Sequence, residues 1–296
     1  MKYVRYCMPL MLVFVLLPLR LSPDFARWSL ENLSVPGLAL LHRLTACVSF
    51  PVAEPLALAV ILLALARLFH AWAAGSYRPL KRLTGVLFTL LFAFILLWAP
   101  ALVVSVPDIP VPDADQLSRL CARLVEKLNA SPLSFPTDAP AQAPLVAGEP
   151  ARVVKTARYP GWMARARAWG MFIPLTGEAV VDPSEPAPLV PFTAVHELTH
   201  LTGVADEGAA NVAAWERCMA AGGSFADSAR LWALRYAMGQ LHGAAPAAWQ
   251  VVQSKMKDAL LRTFLDCGAE AEFTPHRLSL THGSYADLAG YLVGNF

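Results

Sequence analysis

Residues 83–106, LTGVLFTLLFAFILLWAPALVVSV, contain no Asp, Glu, Lys or Arg. A helix needs roughly 20 apolar residues to cross the ~30 Å hydrocarbon core of a bilayer. A run of this kind fits that requirement and little else. Two further apolar runs precede it, over residues 7–21 and 51–69. The chain is 56% hydrophobic and 16% charged, against about 25% charged in an ordinary soluble domain. The apolar excess sits in the first third, so the sequence predicts membrane helices followed by a more ordinary globular part.

Basic residues set an expected orientation. Lys2 and Arg5 precede the first run, and Arg67, near the end of the second, clusters with Arg78, Lys81 and Arg82 between the second and third. Placing both clusters in the cytoplasm puts residues 22–50 and everything after 106 outside. Arg20, Arg27 and Arg43 weaken the contrast, but Asp24 and Glu31 accompany two of them. No small-x-small cleavage site follows the first run, which favours an uncleaved helix over a signal peptide. Cleavage would leave the rest of the chain in the same place. Residues 30–45 read as an interfacial helix interrupted at Pro36 and Gly37. The net charge of +2 gives no basis for a nucleic-acid partner. Five cysteines without CxxC spacing do not form a disulfide scaffold.

Beyond the membrane part, PDIPVPDAD reads as a linker. Asp113 or Asp115 can cap a helix running to about Asn129, with Leu117, Leu120, Leu124 and Leu128 on one face. Residues 130–150, rich in Pro and Ala, read as a loop. Residues 151–182 carry two β-like runs, ARVVKTA and GMFIPLTGEAVVD. Helical patterns follow over about 188–202, 207–221, 225–242, 246–267 and 284–294, with breaks expected at Gly203, Gly222-Gly223, Gly243 and Gly268. The expected fold is α+β and mostly α. It has a membrane region over 1–106, a linker helix and loop over 107–150, and a helical domain with a small sheet over 151–296.

The chemistry concentrates in PFTAVHELTHLTGVADEGAANVAAW, residues 191–215. His196-Glu197-Leu198-Thr199-His200 is an H-E-x-x-H pattern. On a helix, residues four apart share a face, so His196 and His200 can bind one metal ion. Glu197 is offset by one position and can serve as general base. A catalytic zinc takes three protein ligands and keeps one position open. Two carboxylates compete for the third place. Glu207 stands one turn before Asn211, and Asp206 stands six residues after His200. Asp206 has a competing role as helix N-cap, which favours Glu207. Asn211 can accept a hydrogen bond from a ligand imidazole and so fix its tautomer. The bland alternative is two histidines on an amphipathic helix, but the largely apolar flanks would bury them, and buried histidines need partners.

FIPLTGEAVVD, LVPFTAVHELTHLTGVADEGAANVAAW and GSYADLAGYLV resemble an uncharacterised family of bacterial membrane proteins. That family is a domain of unknown function regarded as zinc metallopeptidases. Its pattern runs P-F-T-x-x-H-E-x-x-H-x-x-G-x-A-x-E-x-E-A-N, with a late S-Y element. This chain has Ala209 where the family has its second Glu, which leaves Glu207. The E-x-x-x-N over Glu207 and Asn211 is also similar to the E-x-x-x-D of gluzincins and CAAX-type zinc proteases. The resemblance implies a zincin-like domain, a zinc cofactor and a peptide or protein substrate at a membrane. It implies that Glu197 takes a proton from water and returns it to the leaving amine. An oxyanion donor is also needed. Tyr285 leads on the S-Y element, with His276 and His282 as alternatives.

Residues 176–181 read as an edge strand that could hold an extended peptide by strand addition. That reading makes Thr176, Gly177 and Glu178 candidate substrate-binding residues. Other functional classes remain open on sequence alone: a zinc-binding sensor or structural protein without turnover, a zinc hydrolase of a non-peptide amide, and a helical membrane protein with a chance motif.

Overall fold

The computed structural model describes residues 4–76, 78–104, 109–165, 168–268 and 286–295. The chain is mostly helical, with one small sheet, and divides into two compact units.

The first unit comprises Met1–Ser105, Phe172–Glu178 and Leu201–Gly203. Its first apolar run forms α1 (Val4–Leu21), bounded by Arg5 and Arg20. Ser22 then caps α2 (Pro23–Ser29) by accepting from the Phe25 N–H. A π-helical turn over Leu30–Ser34 joins α2 to α3 (Val35–Ala46) without a break. The sequence predicts an interruption at Pro36 and Gly37, and none occurs. Pro36 follows the π turn directly, where the regular i→i−4 hydrogen-bond pattern is already interrupted. Gly37 lies directly against the Leu97 side chain.

Two long helices follow, α4 (Ala53–Ala73) and α5 (Arg78–Val103). Among the described residues, two helical segments are long and apolar enough to cross a membrane: Ala53–Ala73 and Leu83–Val103. Leu19, Ala26, Ile95 and Ala99 form an apolar cluster that ties α1 and α2 to α5.

The second unit comprises Val106–Met171, Ala179–His200 and Val204–Phe296. Its scaffold is α6 (Ala114–Asn129), started by a capping box between Asp113 and Gln116. Leu117, Leu120, Leu124 and Leu128 are buried, along with Cys121 and Val125. The expected loop over 130–150 contains a short helix, α7 (Ala139–Val146). Pro140 lies in its first turn, so a Pro/Ala-rich composition did not preclude helix there. After β1 (Val154–Thr156) and the single turn α8 (Trp162–Arg165), strands β2 (Gly170–Ile173) and β3 (Glu178–Val181) complete a sheet of order β1-β3-β2, with β1 and β3 parallel.

The helices α9 (Val190–Leu201), α10 (Glu207–Ala221) and α11 (Gly223–Ala244) then run in succession. Gly243 lies inside α11, and the break falls at Ala245-Pro246. The pattern over 246–267 splits into α12 (Pro246–Gln253) and α13 (Asp258–Asp266). Asn129 bridges that split, accepting from the Lys257 N–H and donating to the Lys255 carbonyl. The chain closes with α14 (Ala286–Asn295).

The sheet order corrects one sequence expectation. β3 is the central strand, so residues 176–181 offer no free edge for a peptide. The polar groups of Thr176, Gly177 and Glu178 are also committed elsewhere in the first unit. His42 Nδ1 donates to the Gly177 carbonyl at 2.8 Å, and the Thr45 hydroxyl reaches the Thr176 carbonyl at 3.3 Å. Glu178 is 1% exposed and accepts from Val52 N–H at 2.7 Å and Ala53 N–H at 2.8 Å. Its carboxylate therefore satisfies backbone donors at the start of α4, where the helix dipole also favours negative charge. Gly177 has φ of 65°, and a Cβ there would come within 2.7 Å of the His42 nitrogen and the Leu38 carbonyl oxygen. These three residues thus make contacts that hold the first unit together.

Glu178→Ala removes two charge-assisted hydrogen bonds from part-buried donors, so a loss of about 2–4 kcal/mol is expected. Gly177→Ala should be similarly destabilising, through strain and overlap. Chemical denaturation of detergent-solubilised protein measures both. Unchanged midpoints in both variants would remove that role.

Candidate metal centre

α9 is fixed at its start by α11. The Leu189 carbonyl accepts from Trp232 Nε1 at 3.1 Å and from Ser228 Oγ at 3.3 Å. The Ser228 hydroxyl in turn accepts from the Phe192 N–H at 3.1 Å. Phe192 packs between the Trp232 and His196 rings. These contacts set both the height and the rotation of the helix that carries His196, Glu197 and His200.

The chain leaves α9 through Gly203, at φ of 90°, and turns back into α10. Asp206 is the N-cap of that helix, accepting from the Ala209 N–H at 2.8 Å. Glu207, the first residue of α10, faces the histidines. His196 Nε2 lies 3.1 Å from Glu207 Oε2, His200 Nε2 lies 3.6 Å from the same oxygen, and the two Nε2 atoms are 3.0 Å apart. His196, His200 and Glu207 are the group of His, Cys, Asp and Glu side chains that could hold a metal ion among the described residues. Of the two carboxylates the sequence offered, Glu207 joins the histidines and Asp206 caps the helix.

The donor set fits a small divalent cation. His200 Nδ1 donates to the Val204 carbonyl at 2.6 Å. A neutral His200 ring therefore presents a lone pair at Nε2, towards His196 and Glu207. Acceptor atoms this close repel one another unless a positive charge lies among them. Zinc bonds of 2.0–2.1 Å in a tetrahedron place ligand atoms roughly 3.3–3.4 Å apart, and the observed spacings bracket that value. The surroundings favour a positive charge here, whether a proton or a cation. Burial opposes a charge on His200, yet the Glu207 carboxylate, then Glu197 and the Val204 carbonyl, push the imidazole up to about 9. Burial likewise works to raise Glu207, but the two imidazoles outweigh it and hold the carboxyl well below the ordinary range.

Glu197 is 5% exposed. It lies against Gly170, the first residue of β2. A Cβ at Gly170 would come within 2.5 Å of Glu197 Oε1 and 2.7 Å of Thr193 Cγ2. Asn211 is 1% exposed, one turn beyond Glu207, and neither amide atom has a hydrogen-bond partner among the described residues. The hydrogen bond expected from a ligand imidazole to Asn211 is not made, and for His200 the Val204 carbonyl takes that role. Tyr285, His276 and His282 lie outside the described residues.

Sequence reasoning missed three features here. Gly170 and the Val204 carbonyl act through backbone, which carries no side-chain signature. Glu185 is a buried carboxyl, 6% exposed, that accepts from the Thr193 hydroxyl at 2.5 Å. In the sequence it reads as an ordinary loop acid in DPSEP.

With this geometry in view, the family relation can be stated. Residues 36–273 match the model of a family described as "Protein of unknown function (DUF3810)". The chain belongs to this family. The DUF3810 match takes in both membrane-length helical segments, the sheet and the whole His196–Glu207 segment. Comparison with curated proteins and with solved structures found no match.

Burial pushes the Glu185 carboxyl from its ordinary 4.5 up to about 8, with the neighbouring Glu197 charge adding to the effect. The folded protein thus keeps a proton that the unfolded chain releases. Stability falls as pH rises between those two values, by at most about 1.4 kcal/mol per pH unit. Glu185→Gln should flatten this slope and exceed the wild type in melting temperature at pH 8. Equal slopes in melts from pH 5 to 8 would show that Glu185 ionises as an exposed acid does.

Proposed function

We propose that this DUF3810 protein is a membrane-anchored, zinc-dependent metallopeptidase of zincin-like type, with its catalytic domain outside the cytoplasm. The observation that carries this reading is the convergence of His196 Nε2 and His200 Nε2, on the helix that also bears Glu197, with Glu207 Oε2 at the start of α10, all within 3.6 Å. Three protein ligands leave a tetrahedral ion one open position, the pattern of catalytic rather than structural zinc. Zinc, when bound, supplies Lewis acidity for a carbonyl and lowers the pKa of water. Glu197 sits one residue from a ligand and is suited to take the proton from that water and give it to the departing amine. The Val204 carbonyl keeps His200 in the tautomer that presents Nε2.

A peptide substrate is best accommodated along β2. Among the described residues that strand lies at an edge of the sheet, and it begins at Gly170, beside Glu197. Strand addition there would bring an extended backbone past the general base. The extracytoplasmic placement rests on the basic residues in the last part of α4, Arg67, and in the first turns of α5, Arg78, Lys81 and Arg82.

The decisive measurement is zinc content of detergent-purified wild type, Glu207→Ala and Asp206→Ala. One zinc per chain is expected in wild type and in Asp206→Ala, with loss in Glu207→Ala. No zinc in wild type after metal is added back would end the peptidase reading. A second variant addresses the base. Gly170→Ala should retain zinc but lose hydrolysis of a peptide library, because the added methyl displaces the Glu197 carboxylate. Full hydrolysis by Gly170→Ala would free Glu197 from that contact.

A further inference from the structure

We infer that the helical arm over residues 23–46 is an in-plane membrane helix, whose exposed apolar face lies in the lipid headgroup and acyl boundary. The inference rests on the membrane reading of α4 and α5 and adds a third kind of lipid contact to it.

The crossing geometry comes first. Ala26 shares an apolar cluster with Ile95 and Ala99, the Ser34 hydroxyl donates to the Leu96 carbonyl at 3.1 Å, and Gly37 abuts the Leu97 side chain. From Ala26 to Gly37 the arm advances about 16 Å at 1.5 Å per residue, whereas the α5 residues it meets span only about 6 Å. Two helices lying side by side would match those lengths. The arm therefore runs across α5. It does so in the C-terminal half of a segment long enough to span a bilayer, Leu83–Val103. A helix crossing a span at such an angle lies close to the membrane plane, here in the half of the bilayer that holds the C-terminal part of α5.

The side-chain pattern agrees. Ala26, Ser29, Ser34, Leu38 and His42 are buried. Phe25, Trp28, Leu33, Leu40 and Leu44 are 40–63% exposed. On a plain α-helix these five would not form a single stripe. The π turn over Leu30–Ser34 contributes one extra residue, which resets the phase. With that residue removed from the count, the five fall within about 60° of the helix surface at 3.6 residues per turn. Asp24, Arg27 and Arg43 are exposed, and they form a separate polar stripe beside them. One face is packed on protein, one is apolar and open, and one is charged. This is the three-way division of an interfacial helix, and Trp28 is the residue type that favours the headgroup level. The apolar surface of α4 is exposed as well, including Leu56, Leu58 and Leu62. Lipid is therefore the occupant that suits both.

The test uses the full chain, with Cys7→Ser and Cys47→Ser to remove competing thiols, reconstituted in phospholipid nanodiscs. Single nitroxide labels are placed through Leu33→Cys, Leu40→Cys, Arg27→Cys and Leu62→Cys. Collision with oxygen, which partitions into lipid, is compared with collision with a water-soluble nickel chelate. Leu33 and Leu40 should match Leu62 in favouring oxygen, while Arg27 should favour nickel. Nickel access at Leu33 and Leu40 with oxygen access at Leu62 would overturn the in-plane helix and leave the span intact. Shielding of Leu33 and Leu40 from both reagents would assign the stripe to a protein partner and overturn it equally. Nickel access at Leu62 would remove the membrane reading and this inference with it.

Discussion

The hydrogen bond from His200 Nδ1 to the Val204 carbonyl closes the turn on which the rest of the centre depends. It ties the last turn of α9 to the segment that starts α10, and so decides where Glu207 begins. It also fixes which nitrogen of His200 points inward. A single backbone acceptor thereby sets the position of one ligand and the chemistry of another. The Asp206 cap completes the arrangement by ending the reversal at that residue, so that Glu207 is the first helical residue and faces the histidines.

Much of this was legible in the sequence because it depends on local periodicity. His196 and His200 share a face through their spacing of four, and Gly203 and Asp206 are ordinary stop and start signals for helices. The Leu pattern of α6 and its Asp113 cap are readable for the same reason. Two of the apolar runs coincide with α4 and with the span-length part of α5.

What escaped the sequence was long-range or carried by backbone. TGE reads as a functional strand, yet Glu178 is used up by two N–H groups about 125 positions earlier in the chain. No pattern within the segment announces those partners. Strand order is equally non-local: whether β3 lies at an edge depends on where β1 joins, and β1 is only three residues long. Gly170 and Val204 contribute a missing side chain and a carbonyl, neither of which composition can flag. Proline misled in both directions. Pro36 and Pro140 fall where a helix tolerates them, while Pro246 marks the break that Gly243 does not make.

The π turn at Leu30–Ser34 has a consequence for how such chains can diverge. Residues within the arm can be exchanged freely so long as each stays apolar, polar or small on its own side. Its length cannot drift in the same way. Deleting one residue from the turn would rotate everything from Val35 onward by about 100°, carrying His42 and Thr45 away from the carbonyls they reach. Insertions and deletions should therefore be purged from this stretch even where its composition is free to vary.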